Sequence, residues 1–337
     1  MNKIRVCIIG FSYGQTVLLK CLNQIPNITV IGVAINKRNA KTFKKEYPSI
    51  IFQNNYKKLI NETLPQFVVI ATPTFVQVSV INFLLSKKIP FFCEKPLSTK
   101  FSEAQQIYKL VTSTKLPFVI DYNFLTLPIF VFLKSYLKTN NNYISYEFKW
   151  NFRSYKKNKY SNSWKFNTKL GGGTLNNYGS HVFSIVDNLF GEIIELNSKI
   201  YNTGNLNDDV IIKSLHKNAT KGTLELFSSI DDLRKIELNI YYKNYQLKLI
   251  NKTNDYHNGY RLFKIFKQKN KKLLKKYYNY SKFDSRITQT TKILKSLVNL
   301  IIFTQENDFN IEMAFRIQKL IDCAFKSNTQ NKNIKVK

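Results

Sequence analysis

Arg5-Val6-Cys7-Ile8-Ile9-Gly10-Phe11-Ser12-Tyr13-Gly14-Gln15 is a short apolar run broken by a glycine turn. Beyond it Val17, Leu18, Cys21, Leu22 and Ile25 recur at helical spacing, and Thr29–Ile35 is a second apolar run. Strand, glycine turn, helix and strand in that order form a phosphate cradle, because a helix start offers unpaired N–H groups and partial positive charge. The usual fingerprint has three glycines. This turn has two and fits best with one residue lost, which makes Gly10, Phe11, Ser12, Tyr13 and Gly14 the candidate contacts to a dinucleotide. A carboxylate at the end of the second strand ordinarily bonds the adenosine ribose. Here Asn36-Lys37-Arg38 stands instead, a neutral residue and two cations that would accept a 2′-phosphate. That favours NADP(H), with NAD(H) as the alternative.

Working outward, Phe67–Ala71 and Pro90–Cys93 read as further strands. Ser98 or Thr99 is expected to cap a helix whose Ala104, Ile107, Tyr108 and Val111 share a face. Strands alternating with helices imply a parallel sheet with right-handed crossovers. The pattern changes after Tyr143. Ile144, Tyr146, Phe148, Trp150 and Phe152 alternate with polar residues, as in a strand with one buried face. Val210–Leu215, Gly222–Ser228, Lys235–Tyr241 and Tyr245–Ile250 follow without intervening crossover helices. Two helices, near Ile287–Phe303 and Ile311–Phe325, close the chain, and the polar tail after Ser327 is expected to fray. The fold class is therefore α/β: a Rossmann-like parallel sheet over residues 1–120, and an α+β domain with a largely antiparallel sheet over residues 121–330.

Composition narrows the function classes. The formal charge is +31, yet only seven of the 52 basic residues are arginine, the residue whose fork suits nucleic acid. The charge is read as lysine bias, and a nucleic-acid role is set aside. The basic stretch Lys264 to Lys282 reads as a lysine-rich hairpin or loop. No apolar run reaches membrane-spanning length. Cys7, Cys21, Cys93 and Cys323 lack metal-ligand spacing and read as buried free thiols, which suits a cytoplasmic protein; no metal is expected. His216 and His257 read as structural or solvated.

Four further segments carry the chemistry. Cys93-Glu94-Lys95-Pro96-Leu97 follows a strand, where ligands bind in open α/β sheets. A partly buried lysine there can exchange a proton with a substrate hydroxyl. Ala71-Thr72-Pro73-Thr74 precedes it by one helix, and Asp121-Tyr122-Asn123 stands where the second domain is expected to start. Gly171-Gly172-Gly173 lets a backbone approach a ligand closely and leads to Asn177 and His181, which an α-helix would put on one face.

These segments, with Trp164, Asp208-Asp209 and Gln318-Lys319-Leu320-Ile321-Asp322, resemble in order the glucose-fructose oxidoreductase and inositol dehydrogenase family, Gfo/Idh/MocA. The resemblance implies a nicotinamide-dependent oxidoreductase acting on a sugar, cyclitol or nucleotide-sugar, and a cis Lys95–Pro96 bond. It implies that Thr72, Pro73, Glu94, Lys95 and Asn123 contact the cofactor. It also implies that Lys95, Asn177 and His181 are catalytic. Asn123, Arg153 and Trp164 join those three on the substrate side, Arg153 by placement near the expected mouth. The family's usual aspartate is Asn177 here, its arginine after the asparagine is Leu125, and a second aspartate is Ser184. An asparagine can orient imidazole but cannot stabilise imidazolium. The alternative is a non-catalytic relative that senses dinucleotide or sugar, or acts as a partner protein. Pairing of copies through the second sheet is a further expectation.

Overall fold

The computed structural model describes residues 3–10, 12–153, 163–202, 208–229, 234–267, 270–278, 284–305 and 307–336. Phe11 lies outside them, as do the side chains of Lys37 and Arg38. The chain divides into two compact units, Met1–Asn123 with Arg286–Gln318, and Phe124–Ser285 with Lys319–Lys337.

In the first unit, β1 (Ile4–Ile9), β2 (Ile28–Ala34), β3 (Ile51–Gln53), β4 (Phe67–Ile70), β5 (Phe91–Cys93) and β6 (Phe118–Ile120) form one sheet in the order β3-β2-β1-β4-β5-β6. Every pair in it is parallel. Apart from the exposed Arg5 on β1, the central strands β1 and β4 are apolar and buried, as in a sheet covered on both faces. The connections are a π-turn Gly14–Leu18 running into α1 (Leu19–Leu22), then α2 (Lys37–Glu46), α3 (Tyr56–Thr63), α4 (Thr74–Ser86) and α5 (Phe101–Thr114). Lys100, rather than Ser98 or Thr99, precedes α5. Glu103 at the third helical position accepts from Lys100 N (3.2 Å) and Thr99 N (3.1 Å), so a carboxylate replaces the expected hydroxyl cap.

The segment Arg286–Gln318 belongs to this unit, although the contiguous expectation assigned it to 121–330. Packing is the reason. Ile287, Ile293, Leu294, Leu297 and Val298 complete a buried cluster with Val69, Phe92 and Val119. Phe309 O accepts from Ile120 N (3.1 Å) and closes the edge of β6.

The second unit holds a nine-stranded sheet. Its strands are β7 (Ser145–Arg153), β8 (Ile193–Tyr201), β9 (Asp209–His216), β10 (Lys221–Ser229), β11 (Lys235–Tyr241), β12 (Tyr245–Asn251), β13 (Tyr260–Phe266), β14 (Lys271–Tyr277) and β15 (Ile334–Lys335). The order is β14-β13-β12-β11-β7-β10-β9-β8-β15. Only β7–β10 is parallel among the described pairs. Along β7 the side chains of Tyr146, Phe148, Trp150 and Phe152 are buried and their neighbours are not, the period of a half-buried strand. Helices α6 (Pro128–Thr139) and α7 (Ser180–Phe190) pack together, and Phe190 stacks on Tyr146 with centroids 4.0 Å apart, which lays α7 over β7.

Among the described residues, the basic stretch contributes to the antiparallel pair β13–β14, where Lys271 Nζ lies 3.8 Å from the Phe263 ring centroid. The tail is not frayed. After α8 (Ser285–Phe303), α9 runs Ile311–Gln330 and β15 pairs with β8. Ser327 Oγ accepts from Ser198 N (2.9 Å) and donates to Lys332 O (2.6 Å), which ties the tail down. Strands β3, β6 and β8 were not expected from the sequence; the first two are three residues long, too short for a period to register.

Candidate functional site

The glycine turn after β1 is held by the neighbouring strand. Gly10 has φ +115°, and a side chain on it would run into the backbone carbonyl of Ala71 at the end of β4. A Cβ on Gly14 would sit 3.2 Å from Ile8 Cγ2, so this glycine lets the helix start lie close on β1. Between them Ser12 takes a left-handed conformation, φ +52°, where the usual pattern places a glycine. The residues present fit a dinucleotide. The two-glycine turn keeps the backbone bare, and Thr72 Oγ1 at the adjacent strand end is buried with no hydrogen-bond partner, a group a ligand would satisfy. Pro73 precedes α4 as its cap residue. Asn36 is the exposed, extended cap residue of α2, at the end of β2.

Successive strand ends are laddered, Ala71 N to Ile9 O (2.7 Å), Glu94 N to Ile70 O (3.2 Å) and Asp121 N to Cys93 O (3.0 Å). This brings Glu94 and Asp121 onto adjacent strand termini. The turn Glu94-Lys95-Pro96 contains a cis Lys95–Pro96 bond, as the resemblance implied. Gln77 of α4, which sequence reasoning missed, holds it. Its Nε2 donates to Glu94 O (2.8 Å), Pro96 O (2.9 Å) and Leu97 O (3.2 Å). Gln77 is fully buried, and a glutamine in an apolar helix is the one signal that was available.

A second group that sequence reasoning missed surrounds Asp121. Tyr13 Oη donates to Asp121 Oδ2 (2.9 Å), Asn123 Nδ2 donates to the same oxygen (3.3 Å), and Thr290 Oγ1 of α8 donates to it (3.2 Å). The Glu94 and Asp121 carboxyls are hydrogen-bonded to each other. Burial pushes the Glu94 carboxyl well above the ordinary carboxylate range, and the Asp121 charge adds to that; Lys95 and Arg286 pull it back. Asp121 is also raised by burial, but the hydrogen bonds from Glu94, Tyr13 and Thr290 oppose this. Burial and the two carboxyls raise the Tyr13 hydroxyl, which keeps it a donor.

In the second unit His181 opens α7 and is buried among rings. Phe124 meets it edge-on at 4.9 Å and Trp150 lies at 6.3 Å. Trp150 Nε1 is buried without a hydrogen-bond partner. Asn177 belongs to a π-turn, Leu175–Gly179, that runs directly into α7. Its Nδ2 donates to Lys165 O (2.8 Å). The glycine run packs against the same turn: Gly173 N donates to Lys165 O (2.8 Å), and a Cβ on Gly172 would overlap the Trp164–Lys165 backbone. The close approach that Gly172 permits is therefore to the chain's own Trp164–Lys165 backbone, and a Cβ on Gly173 would meet Thr168. Asp209 Oδ1 accepts from Ser228 N (2.7 Å), a structural use. Arg153 is exposed at the end of β7. His216 is fully buried between Tyr146 Oη (2.8 Å) and Gly191 O (2.7 Å), and His257 is buried against Phe124. Lys95 and Asn123 lie in the first unit; Trp164, Asn177 and His181 lie in the second. All four cysteines are buried thiols outside any disulfide.

Residues 4–122 match the model of the Gfo/Idh/MocA oxidoreductase family with its NAD-binding Rossmann fold, and residues 145–244 match that family's C-terminal domain. The chain belongs to the Gfo/Idh/MocA oxidoreductase family. Among relatives, an uncharacterized oxidoreductase of Schizosaccharomyces pombe is 25% identical over 204 residues, 59% of this chain and 55% of the relative. The chain thus spans about half the length of the curated relatives it matches. Levoglucosan dehydrogenase, solved with NADH and L-sorbose, superposes with a TM-score of 0.83 at 15% identity, over 100% of both chains. The transcriptional regulator Gal80p of Kluyveromyces lactis gives 0.83 at 13% identity, over 99% of this chain and 94% of that one. At these identities the solved structures show the shared fold.

Proposed function

We propose that this Gfo/Idh/MocA member is an NADP(H)-dependent oxidoreductase that acts on a carbon bearing a hydroxyl or carbonyl, in a sugar, cyclitol or nucleotide-sugar. The observation that carries the reading is the Glu94-Lys95-Pro96 turn at the end of β5, held by Gln77 in the same sheet whose β1 ends in the bare glycine turn. When bound, the cofactor supplies or accepts hydride. Gly10, Ser12, Tyr13 and Gly14, with Phe11, cradle its phosphates; Thr72, Pro73, Glu94 and Asn123 line its path. Lys95 exchanges the proton of the reacting oxygen. His181 positions that oxygen, with Asn177, Trp164 and Arg153 holding the substrate. The substrate class has support from levoglucosan dehydrogenase, which shares this fold and was solved with L-sorbose bound. Buried free thiols suit a cytoplasmic setting. Self-association through the nine-stranded sheet belongs to the same proposal.

Asn36-Lys37-Arg38 supports NADP(H) over NAD(H). Changing Lys37 and Arg38 to alanine is expected to weaken NADPH selectively in calorimetric titration. Equal weakening of both cofactors, or a wild-type preference for NADH, rules out the 2′-phosphate contact. A second reading, a dinucleotide-binding sensor without turnover, is favoured by the commitment of Asn177 to Lys165 O and by the fold shared with a transcriptional regulator. A panel of aldoses, polyols and cyclitols assayed with NADP+ separates the two: turnover supports the enzyme, and tight cofactor binding with no turnover supports the sensor.

A further inference from the structure

Two hydrogen-bonded carboxyl groups need a proton between them. Glu94 and Asp121 are such a pair, brought together by the ladder that joins the ends of β5 and β6. The donors around Asp121, Tyr13 Oη (2.9 Å), Asn123 Nδ2 (3.3 Å) and Thr290 Oγ1 (3.2 Å), all favour its ionised form. The proton therefore resides mainly on Glu94, and the pair carries one negative charge. Glu94 Oε1 is closed to solvent and receives no hydrogen bond from a donor group of the chain. The charged groups that act on the pair are Lys95 from the turn after β5 and Arg286 from α8; both favour ionisation of Glu94. Tyr13 and Cys93 stay un-ionised, raised by burial.

We infer that the Glu94–Asp121 pair is a proton site linked to the oxidation state of the bound nicotinamide, with Asp121 as a positioning residue that acts through Glu94. The pair keeps its proton beside the neutral reduced ring and releases it when the cationic oxidised ring is bound. One carboxylic acid and one carboxylate become two carboxylates, and one proton goes to solvent; no electron moves in this step. A nearby positive charge favours the second ionisation, which two buried carboxylates otherwise oppose. The inference rests on the proposed contact between Glu94 and the cofactor.

By linkage, a ligand whose binding releases a proton binds more tightly as pH rises, by at most about tenfold per pH unit for one proton. The window lies above the ordinary carboxylate range, because the retained proton is held by burial and by Asp121. The experiment is calorimetric titration of the full chain with NADP+ and with NADPH over a pH series, for wild type, Asp121→Asn and Glu94→Gln. Their common 2′-phosphate makes NADPH the control for every other titration. The expected result is NADP+ affinity that climbs with pH relative to NADPH in wild type, and no such difference in either variant. Equal slopes for the two cofactors in wild type, or a difference that survives in Asp121→Asn, overturns the inference. Infrared spectroscopy of the ligand-free protein reads the shared proton directly. A carbonyl stretch from an un-ionised carboxyl at neutral pH, lost in Glu94→Gln, is expected, and its absence in wild type overturns the pair whatever the cofactor does. Failure of both cofactors to bind wild type, with that stretch present, overturns the cofactor reading and the linkage drawn from it while the shared proton stands.

Discussion

At the scale of single residues, the proposed chemistry turns on Lys95. It lies just after β5, at the end of a parallel sheet where ligands bind in open α/β folds, and it is only partly buried. General acid–base groups contribute roughly 10²–10⁴-fold to rate. Lys95→Ala is therefore expected to lower turnover by at least about a hundredfold on any substrate found in the panel, with cofactor affinity nearly unchanged. His181→Ala is expected to cost less, since Asn177 offers imidazole no negative partner. Full activity in Lys95→Ala with an identified substrate removes lysine from the proton-transfer role. The motif that contains Lys95 was legible in the sequence. Its buttress was not, because Gln77 reads as one polar residue among apolar ones until folding brings its amide over the turn.

Elements show the same division. Helix α4 was not marked out as a functional element, yet through Gln77 it donates to three backbone carbonyls of the Glu94–Leu97 segment. Gln77→Met keeps the volume and removes the donor, leaving buried carbonyls without their partner. The expected loss is about 2 kcal/mol of stability, read as a lower urea midpoint with an unchanged slope. An unchanged midpoint means that the turn holds itself. The half-buried strands of the second unit were legible from their alternation. The π-turn at Leu175–Gly179 was not, because nothing in Leu-Asn-Asn-Tyr-Gly distinguishes it from an α-turn. The glycines before it were legible as a close approach, though what Gly172 approaches is the backbone at Trp164 and Lys165.

Over the whole molecule, two carboxyls pull the pH dependence of stability in opposite directions, one in each unit. Glu237 on β11 is opposed by burial, but Lys235, Lys248 and Asn239 outweigh it and hold its pKa down at about 2. Its folded pKa is below the unfolded one, so its stabilisation is present above the ordinary carboxylate range and is lost as pH falls toward about 2. Glu94 has the reverse sign. Its folded pKa is raised by burial and by Asp121, so stability is lost as pH climbs from the ordinary carboxylate range to the folded value. Glu237→Gln is expected to destabilise at neutral pH, by an amount that shrinks toward pH about 2. Glu94→Gln is expected to stabilise at neutral pH, by an amount that shrinks in acid. Urea midpoints across the pH range check both, and curves parallel to wild type for either variant count against its assigned pKa direction.

The sequence by itself determined the parallel sheet of the first unit, the alternating strands of the second, the glycine turn and the Glu94-Lys95-Pro96 segment. Each is a local pattern, set by backbone conformation and by the period with which apolar side chains meet a buried face. Tertiary structure alone decided that Arg286–Gln318 returns to the first unit, because an amphipathic helix does not specify which of two apolar surfaces it will cover. It alone decided that Tyr13, Asp121 and Thr290 meet, since the order β3-β2-β1-β4-β5-β6 brings distant strand ends together. The proton shared by Glu94 and Asp121 is the furthest from the sequence: ionisation depends on burial and on neighbouring charge, and neither exists until the chain has folded.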